Sequence, residues 1–159
     1  MKTRAGRYIV DYIPRYGKIL FVKNYEPLEH TADLGIRVWG AGLKELFINS
    51  ASAMYELIVD INLVKPSLSV GVKAEALDMD ELLRNWLSEL LYYFNVKEIL
   101  FREFLIKELG DKNIVSVARG EKIDLKKHDL RHEIKAVTFH RLKIEKKDNL
   151  FSTEIIFDV

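Results

Sequence analysis

Between Leu82 and Phe94 the apolar residues keep a helical period: Leu82, Leu83, Trp86, Leu87, Leu90, Leu91 and Phe94. Spaced near i, i+3, i+4 and i+7, they make a broad stripe down one side of a helix. Asp78 or Asp80 can cap its start, and Glu81 sits where the helix dipole favours an acid. The spacing therefore predicts a helix from about Asp78 to Asn95. A stripe that wide must be covered, and a sheet face is the expected cover, with a helical partner surface as the alternative.

The rest of the chain supplies such a sheet. Leu43, Leu46, Phe47, Ala51, Met54, Leu57 and Ile58 predict a second helix over about Leu43–Val59, with Pro66 punctuating its exit. Ser67–Leu77 alternates apolar and polar residues, as a strand with one wet face does. From Lys97 onward the period is two, predicting strands Ile99–Leu109, Ile114–Arg119, Ile134–Glu145 and Leu150–Asp158. Gly110–Asn113 and Lys146–Asn149 read as hairpin turns. This order predicts an α+β fold, a two-layer, mostly antiparallel β-sheet with two amphipathic helices packed on one face. No repeat, linker or low-complexity segment divides residues 25–159, which read as a single domain. Residues 1–24 are basic and tyrosine-rich, interrupted by Pro14 and Gly17. They read as an extension: a flexible arm, a short added strand around Gly17–Lys23, sequence upstream of the true start, or an RNA-touching arm.

Composition closes several functional classes. The chain has 159 residues, 48% hydrophobic and 31% charged, which is globular rather than disordered. No apolar run approaches the ~20 residues of a membrane span, and no signal-like apolar region is seen near the start, so a cytoplasmic location is expected. Twenty-five basic residues against twenty-four acidic ones give a net charge of +1, so any RNA contact must come from a local patch. The lack of cysteine excludes disulfides, thiolate zinc sites and a cysteine nucleophile. No P-loop, G-x-S-x-G, H-E-x-x-H or Gly-rich dinucleotide turn exists, and no nucleophile–base pair can be nominated.

Two stretches can carry chemistry. Glu29–Gly40, EHTADLGIRVWG, sets a histidine, a threonine and an aspartate ahead of a short strand. Leu34, Ile36 and Val38 share one face, and Gly35, Arg37 and Trp39 the other. Asp33 falls at the strand's mouth on the Arg37 parity. It can accept backbone N–H bonds in an Asx turn, the commoner use, or help to hold a hard cation. In Leu150–Val159 the alternation puts Ser152, Glu154, Ile156 and Asp158 together. The Asp158 carboxylate and the main-chain carboxylate of Val159 concentrate negative oxygen, which either frays into solvent or binds a divalent cation. Between these stretches lies a basic segment with Lys122, Lys126, Lys127, His128, Arg131, His132 and Lys135. It reads as a solvated loop, with phosphate or acidic-partner binding as the alternative. His128 and His132 are four apart, but the flanking residues have no helical period to turn them into a metal pair. His140, in AVTFHRLKI, is expected half-buried in a strand.

Four pieces taken together, EHTADLGI, KIDLKKH, EIKAVTFH and the closing FDV, closely resemble the archease family, the likeness running from about Tyr25 to Val159. The resemblance implies a non-enzymatic protein cofactor of the GTP-dependent, RtcB-type RNA ligase that joins tRNA halves. Such a cofactor promotes guanylylation of the ligase histidine and multiple turnover, with tRNA association only indirect. It also implies a divalent metal site (Ca²⁺, Mg²⁺ or Mn²⁺) on Asp33, Asp158 and the main-chain oxygen of Val159. Lys135 and His140 match further polar functional positions, and His30, Lys127 and His128 match motif residues of less defined role. An older description of the family, a chaperone-like modulator of RNA-modifying proteins, stands as the alternative, as does direct tRNA binding. The resemblance leaves monomer or weak dimer open.

Overall fold

A computed structural model describes residues 8–9, 12–13, 18–19, 22–29 and 32–159. Short strands come first: β1 (Tyr8–Ile9), β2 (Tyr12–Ile13), β3 (Lys18–Ile19), β4 (Val22–Lys23) and β5 (Tyr25–Pro27). Then follow β6 (Leu34–Gly40), α1 (Leu43–Ile58), a 3-10 turn (Ile61–Leu63), β7 (Leu68–Glu75), α2 (Met79–Asn95), β8 (Ile99–Leu109) and β9 (Asn113–Lys122). The chain ends with β10 (Ala136–Val137), β11 (Glu145–Lys147) and β12 (Leu150–Asp158). β1 pairs with β4 and β2 with β3, so the N-terminal pieces ladder on one another.

The fold is α+β, and every strand pairing is antiparallel. Hydrogen bonding divides the main strands into two sheets. One runs β10-β12-β6-β5 with β11 also on β12, and the other runs β7-β9-β8. The helices fill the space against both: α1 packs on β6 and β8, and α2 on β7, β8 and β10.

The α2 stripe is buried in full, all seven of its predicted residues lying in the core. Each such side chain contributes about 1.5–3 kcal/mol on leaving water, so burial outweighs the ~1 kcal/mol of a cap. The cap nevertheless fixes where the helix begins. Asp78 accepts the Glu81 N–H at 2.9 Å, and Glu81 reaches back past the cap to the Leu77 N–H at 2.8 Å. Asp80, the other predicted cap, instead accepts the Ile144 N–H at 2.8 Å and ties the later chain to the helix. Tyr55, Trp86 and Ser116 are polar groups of the core that find partners. The Tyr55 hydroxyl donates to Leu90 O at 2.7 Å. Trp86 Nε1–H donates to Ser116 Oγ at 2.9 Å, and that hydroxyl donates to Val72 O at 2.7 Å. Gly40 is required where β6 turns into α1, since a Cβ there would lie 2.3 Å from Leu46 N.

Two expectations need correcting. The strand predicted over Ile134–Glu145 is broken: only Ala136–Val137 and Glu145 belong to strands. Thr138 Oγ1 accepts the His140 N–H at 3.3 Å, Leu142 N–H donates to Phe139 O at 3.2 Å, and Arg141 takes φ 61°. A local hydroxyl acceptor thus competes with the ladder and turns the chain. As a result His140 is exposed rather than half-buried. The basic segment is not wholly solvated either, because His128 is 1% exposed.

Candidate functional site

β12 lies between β6 and β10, and its far end gathers the polar positions. The β6 register sets Leu34 opposite Phe157 and Arg37 opposite Glu154. Leu34–Phe157 is the last pair of this ladder, and the next residue on each strand is Asp33 and Asp158, 125 positions apart in the chain. Facing residues of an antiparallel pair project to the same side with Cβ atoms about 4.5–5.5 Å apart. Both aspartates are exposed. On the other flank Asp158 pairs with Ala136, and Asp158 O accepts the Lys135 N–H at 2.7 Å. By this register Ala136 shares the face of Asp158, while Lys135 is joined to it through the main chain and alternates to the other face.

Just inside this tip, a Cβ on Gly35 would meet Ile156 Cδ1 at 2.8 Å and Leu28 Cδ1 at 2.9 Å. The missing side chain lets two apolar groups close over the strand beneath the carboxylates. Two pairs further along, Arg37 bonds to Glu154, approaches Glu26 Oε1 at 3.7 Å, and shares Glu154 with Arg141 Nη1 at 3.7 Å. Charge on this face is thus compensated in the middle of the sheet. Sequence reasoning placed Arg37 on the Asp33 parity and Glu154 on that of Asp158, but it did not see that they meet. Only the strand register could reveal it.

The remaining candidates divide. His140 lies on the turn beside the Glu154 stretch of β12, about four residues or roughly 13 Å of strand from Asp158. The tip therefore does not include it by register. His30 lies outside the described residues. His128 Nδ1 accepts the Asp124 N–H at 2.9 Å. Its Nε2 stands 2.8 Å from Glu121 Oε1, with the N–H aimed off the line between them. Lys127 Nζ donates to the same oxygen at 2.5 Å, and the other Glu121 oxygen accepts the Lys65 N–H at 2.8 Å. Desolvation pushes the Glu121 pKa up, but Lys127, the Lys65 N–H and His128 outweigh it and leave the carboxyl below its ordinary value of 4.5. Lys127 and His128 thus form a staple holding the 121–128 turn, and His128 offers no accessible surface. His132 is exposed while His128 is enclosed, so the two do not make a metal pair.

The tip's donors are all oxygen, two aspartate carboxylates plus the main chain of Val159. Such a set fits a hard cation and not zinc. Among the described residues no three His, Cys, Asp or Glu side chains cluster as a metal cage, so the set needs that main-chain oxygen and further oxygens from outside the chain. Among the described residues, no helix is long and apolar enough to cross a membrane.

The model of the Archease protein family matches residues 25–159. A protein archease from Methanopyrus kandleri is 37% identical over 138 residues, covering 85% of this chain and 99% of the relative. A solution structure of a Methanobacterium thermoautotrophicum protein shares 34% identity at a TM-score of 0.68, covering 86% of this chain and 99% of its own. The fold also matches the crystal structure of a Thermotoga maritima archease, described as a possible chaperone, at 21% identity and a TM-score of 0.59, over 84% and 96% of the two chains. With the matched region spanning both tip aspartates and both helices, this chain belongs to the archease family.

Proposed function

We propose that this protein is a non-enzymatic activator of an RtcB-type RNA ligase in tRNA splicing. It would promote guanylylation of the ligase histidine by presenting its acidic tip to the ligase's nucleotide site. The observation that supports this reading is the β6–β12 register, whose last pair, Leu34 with Phe157, adjoins Asp33 on one strand and Asp158 on the other. Asp33, Asp158 and the Val159 main-chain oxygen would hold a divalent cation: Mg²⁺, Mn²⁺ or Ca²⁺. When bound, that ion supplies positive charge for phosphate oxygens, in a reaction that is chiefly positioning and charge neutralisation. The chain's own work would be to hold the two carboxylates near one another at the end of the β6–β12 ladder. Leu28 and Ile156 close the inner side against water.

The test is a ligase guanylylation assay with and without this protein, titrated with each of the three ions. Asp33→Ala is expected to abolish stimulation without lowering the metal-free melting temperature. Undiminished stimulation by that variant would sink the mechanism. A general chaperone role, the description given to the T. maritima relative, calls for a contiguous apolar surface. Among the described residues the most exposed large apolar ones are instead Leu77 in the β7–α2 connection, Leu105 on β8 and Leu125 in the loop after β9. That observation favours the ligase reading.

A further inference from the structure

The edge of the five-stranded sheet from Lys135 to Lys147 has a different chemistry from the tip. In these thirteen positions Lys135, Arg141, Lys143, Lys146 and Lys147 stand against a single acid, Glu145, in a chain whose net charge is only +1. All six are exposed. Both strands of this segment, β10 and β11, hydrogen-bond to β12, so the cations follow one side of the sheet. At its middle the 139–142 turn holds out Phe139, 54% exposed. The Arg84 guanidinium lies 4.5 Å from the centre of that ring, and Arg84 Nε–H donates to Val137 O at 3.2 Å. The ring is thus backed by a fixed cation on one side and offered to solvent on the other. His140 and Arg141 stand beside it.

Two acids near the rim are engaged, one of them by the rim's own Arg141. Asp80 accepts the Ile144 N–H, and Glu154 is shared between Arg37 and Arg141. The rim's Arg141 is 3.7 Å from Glu154 and its Lys146 ammonium lies 5.4 Å from the Phe151 ring centre, and the basic segment singled out in the sequence has likewise spent part of its charge. Lys127 is bound to Glu121, and Lys122 Nζ donates to Lys97 O at 2.8 Å.

We propose that the Lys135–Lys147 rim binds single-stranded RNA, with the Phe139 ring stacking on a base and Arg141, Lys143, Lys146 and Lys147 contacting phosphates. An exposed ring held flat by a guanidinium, among cations strung along a strand edge, matches the pairing of stacking platform and electrostatic track that unpaired nucleic acid requires. An acidic protein surface would use the cations and have no need of the ring. This inference is independent of the ligase reading, since the binding requires neither ligase nor metal.

The experiment is fluorescence anisotropy of labelled oligouridylate with the full chain alone, in chelator, between about 50 and 200 mM salt. Four neutralised phosphates give a log–log slope near −2.8, hence roughly fifty-fold weaker binding across that range. Phe139→Ala should weaken binding about 5- to 100-fold without changing the slope, and Phe139→Trp should restore it. Lys146→Ala with Lys147→Ala should flatten the slope by about 1.4. The far-UV spectrum of each variant confirms folding, since all three positions are exposed. Absence of binding at the lowest salt overturns the inference. So does equal binding by the Phe139 and lysine variants, or loss only on replacing Lys126 in the other basic segment. If the lysine variants instead lose ligase association while RNA affinity is unchanged, the rim is a protein interface and the proposal fails.

Discussion

Replacing Asp158 by asparagine should move stability in opposite directions with and without a divalent ion. In chelator, Asp33 and Asp158 are two exposed carboxylates, each next in the chain to the last pair of the β6–β12 ladder, Leu34 with Phe157. At roughly 6 Å their repulsion is ~0.7 kcal/mol at the dielectric constant of water and ~2.8 kcal/mol at an effective value of 20. Exposure favours the lower figure, so relief of about 1 kcal/mol is expected. For a domain of this size that raises the melting temperature by roughly 2–4 °C. The gain should shrink near 1 M salt, where the screening length falls to about 3 Å. With an ion at about a hundred times its Kd, the native protein gains ~2.7 kcal/mol, or roughly 5–11 °C. Asp158→Asn, with one charged donor removed, should keep under about a third of that. Differential scanning fluorimetry in EDTA and across Mg²⁺, Mn²⁺ and Ca²⁺ reads both effects on one sample set. A variant that melts below the native protein in EDTA, or one that gains as much from the ion, would refute the reasoning.

Two further predictions concern the scaffold. Ser116→Ala removes the acceptor of the buried Trp86 N–H, which has no route to water. The cost should be about 1–3 kcal/mol, read as a lower urea midpoint at unchanged m-value; a loss under about 0.5 kcal/mol would mean that the indole finds another partner. Tyr25 donates to Glu56 Oε2 at 2.6 Å, and burial, followed by that hydrogen bond and the Glu56 charge, holds its pKa above the ordinary 10.0. A raised acid pKa stabilises the folded state below the unfolded value and loses that contribution as pH climbs past 10 toward the folded one. Tyr25→Phe should therefore flatten the alkaline decline of unfolding free energy measured between about pH 9 and 11, and an unchanged slope would count against the assignment.

The helices were legible because each is decided by a single period. The residues of the α2 stripe that repeat every three or four positions are the ones it buries. The tip was legible in part. Alternation put Asp33 and Asp158 on outward parity at strand ends, but parity cannot say which strands are neighbours, and the pairing came only with the register. His140 shows where pattern reading fails. Its stretch alternates as a strand should, yet a threonine hydroxyl two residues back and the Asp80 carboxylate 64 positions away from Ile144 redirect the backbone. His128 fails in the other direction, since a charged run looks solvated until Glu121 is seen to draw its histidine inside. Neither Asp80 nor Glu121 carries a local signal of those roles.

The placement of β12 has a bearing on how the protein is made. This strand, the last of them to be synthesised, takes an interior position with β6 on one side and β10 and β11 on the other. Until residues 150–158 leave the ribosome, β6 and β10 face a gap and present bare edges of the kind that recruit other chains. Shortening the protein before Leu150 should thus yield aggregates instead of a slightly weakened monomer.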